Sequence, residues 1–447
     1  MKITGSHKDQ YLYSNTMLHL CKRVEHFFLY VMKILFVHQN FPGQFKHLAP
    51  ALAGMGHEVH AMTMRKIEPK IWRGVRLHPY KPSHSSAKTI HPWVIDFESK
   101  VIRADAAFRC AQELQSKGFQ PDLILAHPGW GEAFFLKEVW PDVKLGLYCE
   151  FYYQTNGADA NFDQEFQTVD SERACRLRIK NLPQEAQLQL ADAAISPTRW
   201  QADSYPEPFR QRITVVHDGI DTTAVKPQPG AQMVLKTSRG KLTLTRKDEV
   251  ITFVNRNLEP YRGYHIFMRT LPELLRRRPK ARVLIVGGDS VSYGAKPPKG
   301  KSWKQIFIDE VRSSISDADW SRVHFLGNVP YNHFIPLLQL STVHVYLTYP
   351  FVLSWSLLEA MSAGCAIVAS RTQPVEEVIQ HGKTGQLVDF FDQKGLVDEI
   401  CALLNNPSQR KQLAERAREL ICSQYDLQSI CLPKQLHWVE QLASDIR

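Results

Sequence analysis

The stretch 343–370, VHVYLTYPFVLSWSLLEAMSAGCAIVAS, constrains the fold more than any other part of the chain. Alternating apolar residues open it as a strand, and Pro350 breaks that strand. Helical spacing of Leu357, Leu358, Ala360 and Met361 then runs to Gly364. A fully apolar strand, CAIVAS, follows at once. Strand, loop, helix and strand in this order make one unit of a parallel sheet. Ligands of such sheets bind outside the carboxyl ends of the strands, so the loop 349–355 and the helix start lie on the binding side. Glu359 sits in the first turn of an otherwise apolar helix. Two readings fit it. Ser356-Leu-Leu-Glu359 is an S-x-x-E capping box, or Glu359 faces a cleft and accepts hydrogen bonds from ligand hydroxyls.

The same grammar runs through both halves of the chain. Strand 33–37 enters a loop holding Pro42 and Gly43, then a helix at 44–55 with Phe45, Leu48, Ala49, Leu52 and Ala53 on one face, then a strand at 58–62. A glycine loop at a helix N-terminus attracts anions. The loop is not G-x-G-x-x-G, which disfavours a nicotinamide dinucleotide. A strand at 122–126 runs into His127-Pro-Gly-Trp-Gly131, where a histidine serves either the core or the cleft. After a strand at 144–150, the acidic run 157–165 meets an acceptor or merely solvent. Its Asp159, Asp163 and Glu165 match no calcium-loop spacing. Short strands at 193–196 and 213–216 close the first half. Proline at 226–230 and charged, alternating sequence at 237–249 mark a domain boundary. The second half opens with a strand at 250–255, the basic loop Arg256-Asn-Leu-Glu-Pro-Tyr-Arg262-Gly263 and a helix at 264–277. Strands at 282–286, 323–326, 343–347 and 385–388 and helices at 395–404, 408–422 and 427–442 complete it. With 447 residues, this alternation predicts an α/β chain of two doubly wound domains facing each other across a cleft. Arg256 and Arg262 flank a strand-to-helix loop near that cleft, where guanidinium forks suit phosphate oxygens; the plain alternative is a pair of surface arginines.

A formal net charge of +10 favours anionic partners. The basic clusters 65–81 and 276–282 read first as solvated faces, and no nucleic-acid module accompanies them. Eight scattered cysteines without C-x-x-C argue against zinc or a disulfide framework and for a reducing compartment. No run is long and apolar enough to span a bilayer. Residues 1–31 read as a disordered extension and a poor signal peptide, before Met32 opens the first core strand. A start site upstream of the true one explains the extension, and a short amphipathic anchor is the rival.

Several of these stretches resemble one family. MKILFVHQNFPGQFKHLAPALAGMGHEVHAMT resembles the first βαβ unit of retaining family-4 (group 1) glycosyltransferases with the GT-B fold. VVHDGID resembles their entry into the second domain, and RNLEPYRG their basic diphosphate loop. LLEAMSAGCAIVAS and EEVIQHGKTGQLVD resemble their donor-site core. The likeness runs from about Met32 to the end. It implies a GT-B architecture of two Rossmann-like domains, with a final helix crossing back onto the first. By position, the resemblance implies that Arg256 and Arg262 would hold the donor diphosphate and Glu359 the ribose hydroxyls, and that Gly43 would let the first-domain loop approach the phosphates. His127 matches the first-domain histidine near the transferred sugar. One position departs. The family usually carries a glutamate eight residues before Glu359, and here that position is Phe351. Ser354 and the backbone N–H groups near Trp355 remain to bind phosphate at the helix start.

The resulting expectation is a retaining glycosyltransferase moving a sugar from a nucleoside-diphosphate sugar to a hydroxyl of a glycan, glycolipid or small molecule. His127, Arg256 and Arg262 are its catalytic candidates. Gly43, Arg256, Arg262, Ser354 and Glu359 are its donor-binding candidates. No cofactor and no metal are expected. The expected partners are the donor and a glycan or lipid-linked acceptor, without nucleic acid. The expected location is the cytoplasm, with peripheral association at the inner membrane face. The expected domains are an extension at 1–31, an acceptor domain at 32–216, a linker or insert at 217–249, a nucleotide-sugar domain at 250–426 and a returning helix at 427–447. The rivals are a non-catalytic nucleotide-sugar-binding protein, which Phe351 suggests, a nucleotide-sugar epimerase or hydrolase on the same fold, and a nucleic-acid binder suggested by charge alone.

Overall fold

The computed structural model describes residues 31–444 apart from 67, 69, 88, 167–170 and 238–239. The extension anticipated at 1–31 lies outside the described residues up to position 30. Eight strands form the first sheet: β1 Lys33–Val37, β2 Glu58–Thr63, β3 Ile71–Trp72, β4 Val75–Pro79, β5 Leu123–Ala126, β6 Lys144–Tyr148, β7 Ala193–Ser196 and β8 Ile213–Val215. Their order is β3-β4-β2-β1-β5-β6-β7-β8, parallel except for the β3–β4 pair. A hairpin of β9 Gln232–Thr237 and β10 Gly240–Thr245 follows. Six parallel strands form the second sheet, in the order β13-β12-β11-β14-β15-β16. They are β11 Val250–Asn257, β12 Arg282–Gly288, β13 Val323–Gly327, β14 Val343–Tyr346, β15 Ala366–Ser370 and β16 Gln386–Val388. The architecture is two α/β domains with parallel sheets, the GT-B arrangement.

In the first sheet the chain winds outward from β1 to β4, then returns to β5 on the other side of β1, so the order reverses between β1 and β5. In the second it reverses between β11 and β14. Doubly wound sheets leave an open crevice at the carboxyl side of such a reversal. Val37 pairs with Ala126 at one crevice and Phe253 with Val345 at the other.

The single helix anticipated at 44–55 is divided. A short turn, Gly43–Lys46, is followed after His47 by the helix Leu48–Gly54. Pro50 explains the break. Its nitrogen carries no proton, so it fits only in a first turn, where that donor needs no partner. The stretch anticipated as a linker or insert contains the β9–β10 hairpin, whose Leu235 and Leu244 are buried in the core of the second domain. At the far end, the helix Leu432–Ala443 lies on the first sheet. Gly146 in β6 makes room for it, since a Cβ there would lie within 2.8 Å of Leu442, Leu125 and Trp438 side-chain atoms.

Candidate functional site

The first crevice brings two histidines together. His38 and His127 follow adjacent strand ends, with ring centroids 5.5 Å apart. His38 Nδ1 accepts the Asn40 N–H at 3.0 Å. Burial, and then the neighbouring His127, push the His38 pKa down to about 3. The ring is therefore neutral with its proton on Nε2, which donates to Gln44 Oε1 at 2.8 Å. The amide so turned donates from Nε2 to Glu150 Oε1 at 2.9 Å. His127 repeats the pattern, accepting the Gly129 N–H on Nδ1 at 3.1 Å and turning Nε2 toward Glu150 Oε2 at 3.5 Å. Burial pushes the Glu150 carboxyl up, but His127 and Gln44 outweigh it and hold the group below its ordinary value. Glu150 is thus an ionised carboxylate just beyond the end of β6, with a third of its side chain exposed. Gly43 stands over His38 at φ +47, and a Cβ there would lie 2.3 Å from His38 Nε2. Only glycine fits at that position.

The second crevice holds the other candidates. Arg256, Arg262 and Ser354 line one cavity of about 260 Å³, with Asn257, Tyr293 and Asn328 among its other walls. Arg256 is exposed there. Arg262 is buried, and its Nη1 donates to Thr348 Oγ1 at 2.8 Å, the Val352 carbonyl at 3.0 Å and Tyr346 Oη at 3.3 Å. It therefore binds its own chain's loop after β14 as well as lining the cavity. The helix after that loop, Trp355–Ser362, has Ser354 as its N-cap. Ser354 Oγ accepts the Ser356 N–H at 3.3 Å, and the Ser354 N–H donates to Tyr346 Oη at 3.0 Å.

The Ser356-to-Glu359 capping box does not form. Ser356 lies inside the helix, and Glu359 Oε1 accepts instead from Tyr331 Oη at 2.8 Å. The cap falls two residues earlier because the Tyr346 hydroxyl fixes the chain at Ser354. Glu359 lines a neighbouring cavity of about 290 Å³ between the domains, together with Pro42 and Lys46. Burial raises its carboxyl above the ordinary value, against the Tyr331 bond and the Lys46 charge. Arg256, Arg262 and Ser354 thus share one cavity, while Glu359 lies in the next, beside the Gly43 turn.

Four sets of contacts tie the walls together. Lys46 stands 4.4 Å over the Trp355 ring. The Trp355 Nε1–H donates to Asp218 Oδ2 at 2.7 Å, and Tyr148 Oη donates to the same carboxylate at 2.9 Å. Burial pushes Asp218 up to about 7 against those two bonds. The acidic run 157–165, anticipated as a loop for acceptor or solvent, is a strap onto the second domain. Tyr261 Oη donates to Asp159 Oδ2. Asp163 Oδ2 meets His265 Nε2 at 3.1 Å and Tyr349 Oη at 2.5 Å. Glu165 pairs with Arg269 at 2.6 Å, and Phe162 packs on Tyr349, Phe390 and Phe391. Asp163, Glu165 and His265 do lie close enough together to share an ion, yet each carboxylate already meets a partner from the second domain. Phe351 is buried, its ring 4.8 Å from Phe151 and 5.0 Å from Tyr293, so an aromatic contact between domains fills the departing position.

Glu150, Gln44, His38 and Asp218 escaped the sequence reading. Gln44 and Glu150 lie 106 residues apart and meet only because β1 and β6 flank β5. Asp218 carried a signal, since it belongs to the VVHDGID stretch that enters the second domain.

Two family profiles divide the chain. The family 4 group of glycosyl transferases matches residues 55–225, and glycosyl transferases group 1 match residues 236–420. The chain belongs to the group 1 glycosyltransferases. A D-inositol 3-phosphate glycosyltransferase of Corynebacterium urealyticum is 28% identical over 56% of this chain and 55% of its own length. A phosphatidyl-myo-inositol mannosyltransferase of Mycolicibacterium smegmatis is 28% identical over 39% of this chain and 41% of its own. The chain spans about half the length of the curated relatives it matches. Among solved structures, sucrose-phosphate synthase from Thermosynechococcus elongatus superposes with a TM-score of 0.69 at 17% identity, over 92% of this glycosyltransferase and all of that chain. Anabaena HepE in complex with UDP and glucose gives 0.64 at 16% identity, over 92% and 99%. These likenesses establish the fold.

Proposed function

We propose that this chain transfers a sugar, with retention of configuration and without a metal, from a nucleoside-diphosphate sugar to a hydroxyl acceptor. One observation carries the reading. At the carboxyl side of the β11/β14 reversal, Arg256, buried Arg262 and the amino end of the helix Trp355–Ser362 surround one cavity. Two guanidinium groups and a helix dipole are the means to stabilise a leaving diphosphate, whose charge grows in the transition state. Glu359 would take the ribose hydroxyls, and Gly43 would let the first-domain turn approach the phosphates. His127 would act through Glu150, which its Nε2 faces. The names of the relatives support glycosyl transfer, and the UDP and glucose held by the Anabaena protein of the same fold support a nucleotide-sugar donor. Retention would follow same-face attack by the acceptor hydroxyl. Among the described residues no helix is long and apolar enough to cross a membrane. Seven cysteines there are free thiols, which supports a reducing, cytoplasmic setting, and the formal net charge of +10 would favour peripheral contact with an anionic inner membrane face.

Calorimetric titration with a panel of nucleosides, nucleoside diphosphates and nucleotide sugars, with and without chelator, tests the reading. Diphosphates should bind at least tenfold tighter than nucleosides, and chelator should change nothing. A chelator-sensitive affinity rescued by magnesium or manganese would return attention to Asp163, Glu165 and His265. The non-catalytic reading draws on Phe351, and it stands if nucleotide sugars bind without turnover.

A further inference from the structure

A second cavity, of about 420 Å³, lies between the domains beyond Tyr293 and Phe351. Tyr293 lines both this cavity and the one holding Arg256. The Arg262 guanidinium is 5.3 Å from the Tyr293 ring and 5.8 Å from the Phe351 ring. The two spaces are thus one aromatic ring apart.

The walls differ in character. Tyr261, Tyr293 and Phe351 supply flat faces from the second domain. The first domain supplies Arg173, Arg176 and Lys180 from the helix Glu172–Leu190. Spacings of three and four residues put these cations on one helix face. Lys180 Nζ rests 3.5 Å over the Tyr153 ring, Arg173 Nη1 donates to Asn161 Oδ1, and Arg176 Nη1 lies 3.1 Å from Glu172 Oε2. Asp159 is the one acidic side chain among the described lining residues, and burial raises its carboxyl toward the neutral form. Burial likewise lowers the Lys180 pKa, a cost that an anion beside the ammonium would offset.

We propose that this cavity is the acceptor subsite and that its acceptor is an anion, a hydroxyl compound carrying a phosphate or carboxylate. The inference rests on the glycosyl-transfer reading. Guanidinium forks match both anions, and the aromatic faces suit a sugar or polyol ring. An acceptor held by its anion on Arg173, Arg176 and Lys180 presents its hydroxyl across Tyr293 and Phe351 to the donor. The bond from the anomeric carbon to the diphosphate oxygen breaks, and a bond from that carbon to the acceptor oxygen forms. The hydroxyl proton leaves with the diphosphate.

The test is calorimetry on the full chain saturated with nucleoside diphosphate, titrated with a hexose, its 6-phosphate and the matching uronate. The two anions should bind at least tenfold tighter than the hexose, by a margin that shrinks with added salt. Arg176→Gln and Lys180→Gln should each remove most of that margin and leave nucleoside-diphosphate affinity within twofold of wild type. Arg176→Lys and Lys180→Arg should restore much of it and cover the case of a misfolded neutral variant. Retention of this protein on vesicles of phosphatidylglycerol in phosphatidylcholine, lost in the same variants, would support the proposal equally with the anion on a lipid. Equal affinity for charged and neutral ligands, or variants that keep the margin, would overturn it. A wild type that binds no nucleoside diphosphate sinks the glycosyl-transfer reading instead.

Discussion

At the scale of single residues, the two arginines of the RNLEPYRG loop do different work. Arg256 is exposed in its cavity, so Arg256→Ala should leave stability within about 0.5 kcal/mol. It should weaken nucleoside diphosphate roughly tenfold, or about 1.4 kcal/mol, and spare nucleoside. Arg262 holds the loop after β14 by three hydrogen bonds. Arg262→Ala should therefore cost about 3 kcal/mol of stability, because it leaves buried acceptors without their donor. Nucleoside affinity should fall with it, and denaturant melts beside calorimetry separate the two cases. The serines divide likewise. Ser354→Ala should cost about 1 kcal/mol as loss of an N-cap, and Ser356→Ala clearly less. Glu359→Gln keeps an acceptor for Tyr331, so its melting point should hold while nucleotide affinity drops. A fall in melting with unchanged affinity would make Glu359 a structural residue. The sequence singled out Arg256, Arg262, Ser354 and Glu359 as candidates but set the helix cap at Ser356, since spacing along a chain does not reveal which hydroxyl, here Tyr346, fixes a helix start.

At the scale of elements, the strand–loop–helix–strand at 343–370 was legible because periodicity switches where structure does. The strap at 157–166 was not. Its Phe162 and Phe166 lie within an acidic run, and their partners belong to the other domain. Polar composition suggested solvent, while Tyr261, His265, Tyr349 and Arg269 give those carboxylates partners on the second domain. Phe162→Ala should raise amide exchange across 157–166 by tenfold or more, while β1 and β11 keep their protection. Equal loss of protection in both sheets would make Phe162 a core residue rather than a tie.

At the scale of the whole molecule, Asp218 joins Tyr148 of the first domain to Trp355 of the second. Its folded pKa of about 7 lies above the ordinary aspartate value of about 3.9. The folded state therefore holds a proton that the unfolded chain has lost. Stability from this group is full below about pH 4 and is lost as pH rises to about 7, by up to roughly 4 kcal/mol. Asp218→Asn should melt close to wild type at pH 4 and above it at pH 8, and parallel curves would remove Asp218 from this role. Two facing crevices could be read from the order of strands and helices in the sequence. The contacts between them could not, because Asp218 and Trp355 lie 137 positions apart. Sugar leaving a nucleotide for an acceptor in that cleft is the central proposal. The direct measurement is release of nucleoside diphosphate from labelled nucleotide sugars, with and without a panel of anionic and neutral hydroxyl acceptors, in wild type and Arg256→Ala. Release should require an acceptor, yield a labelled product of unchanged anomeric configuration, and fall at least tenfold in the variant. Release without acceptor, or tight donor binding with no release under any acceptor, would contradict it.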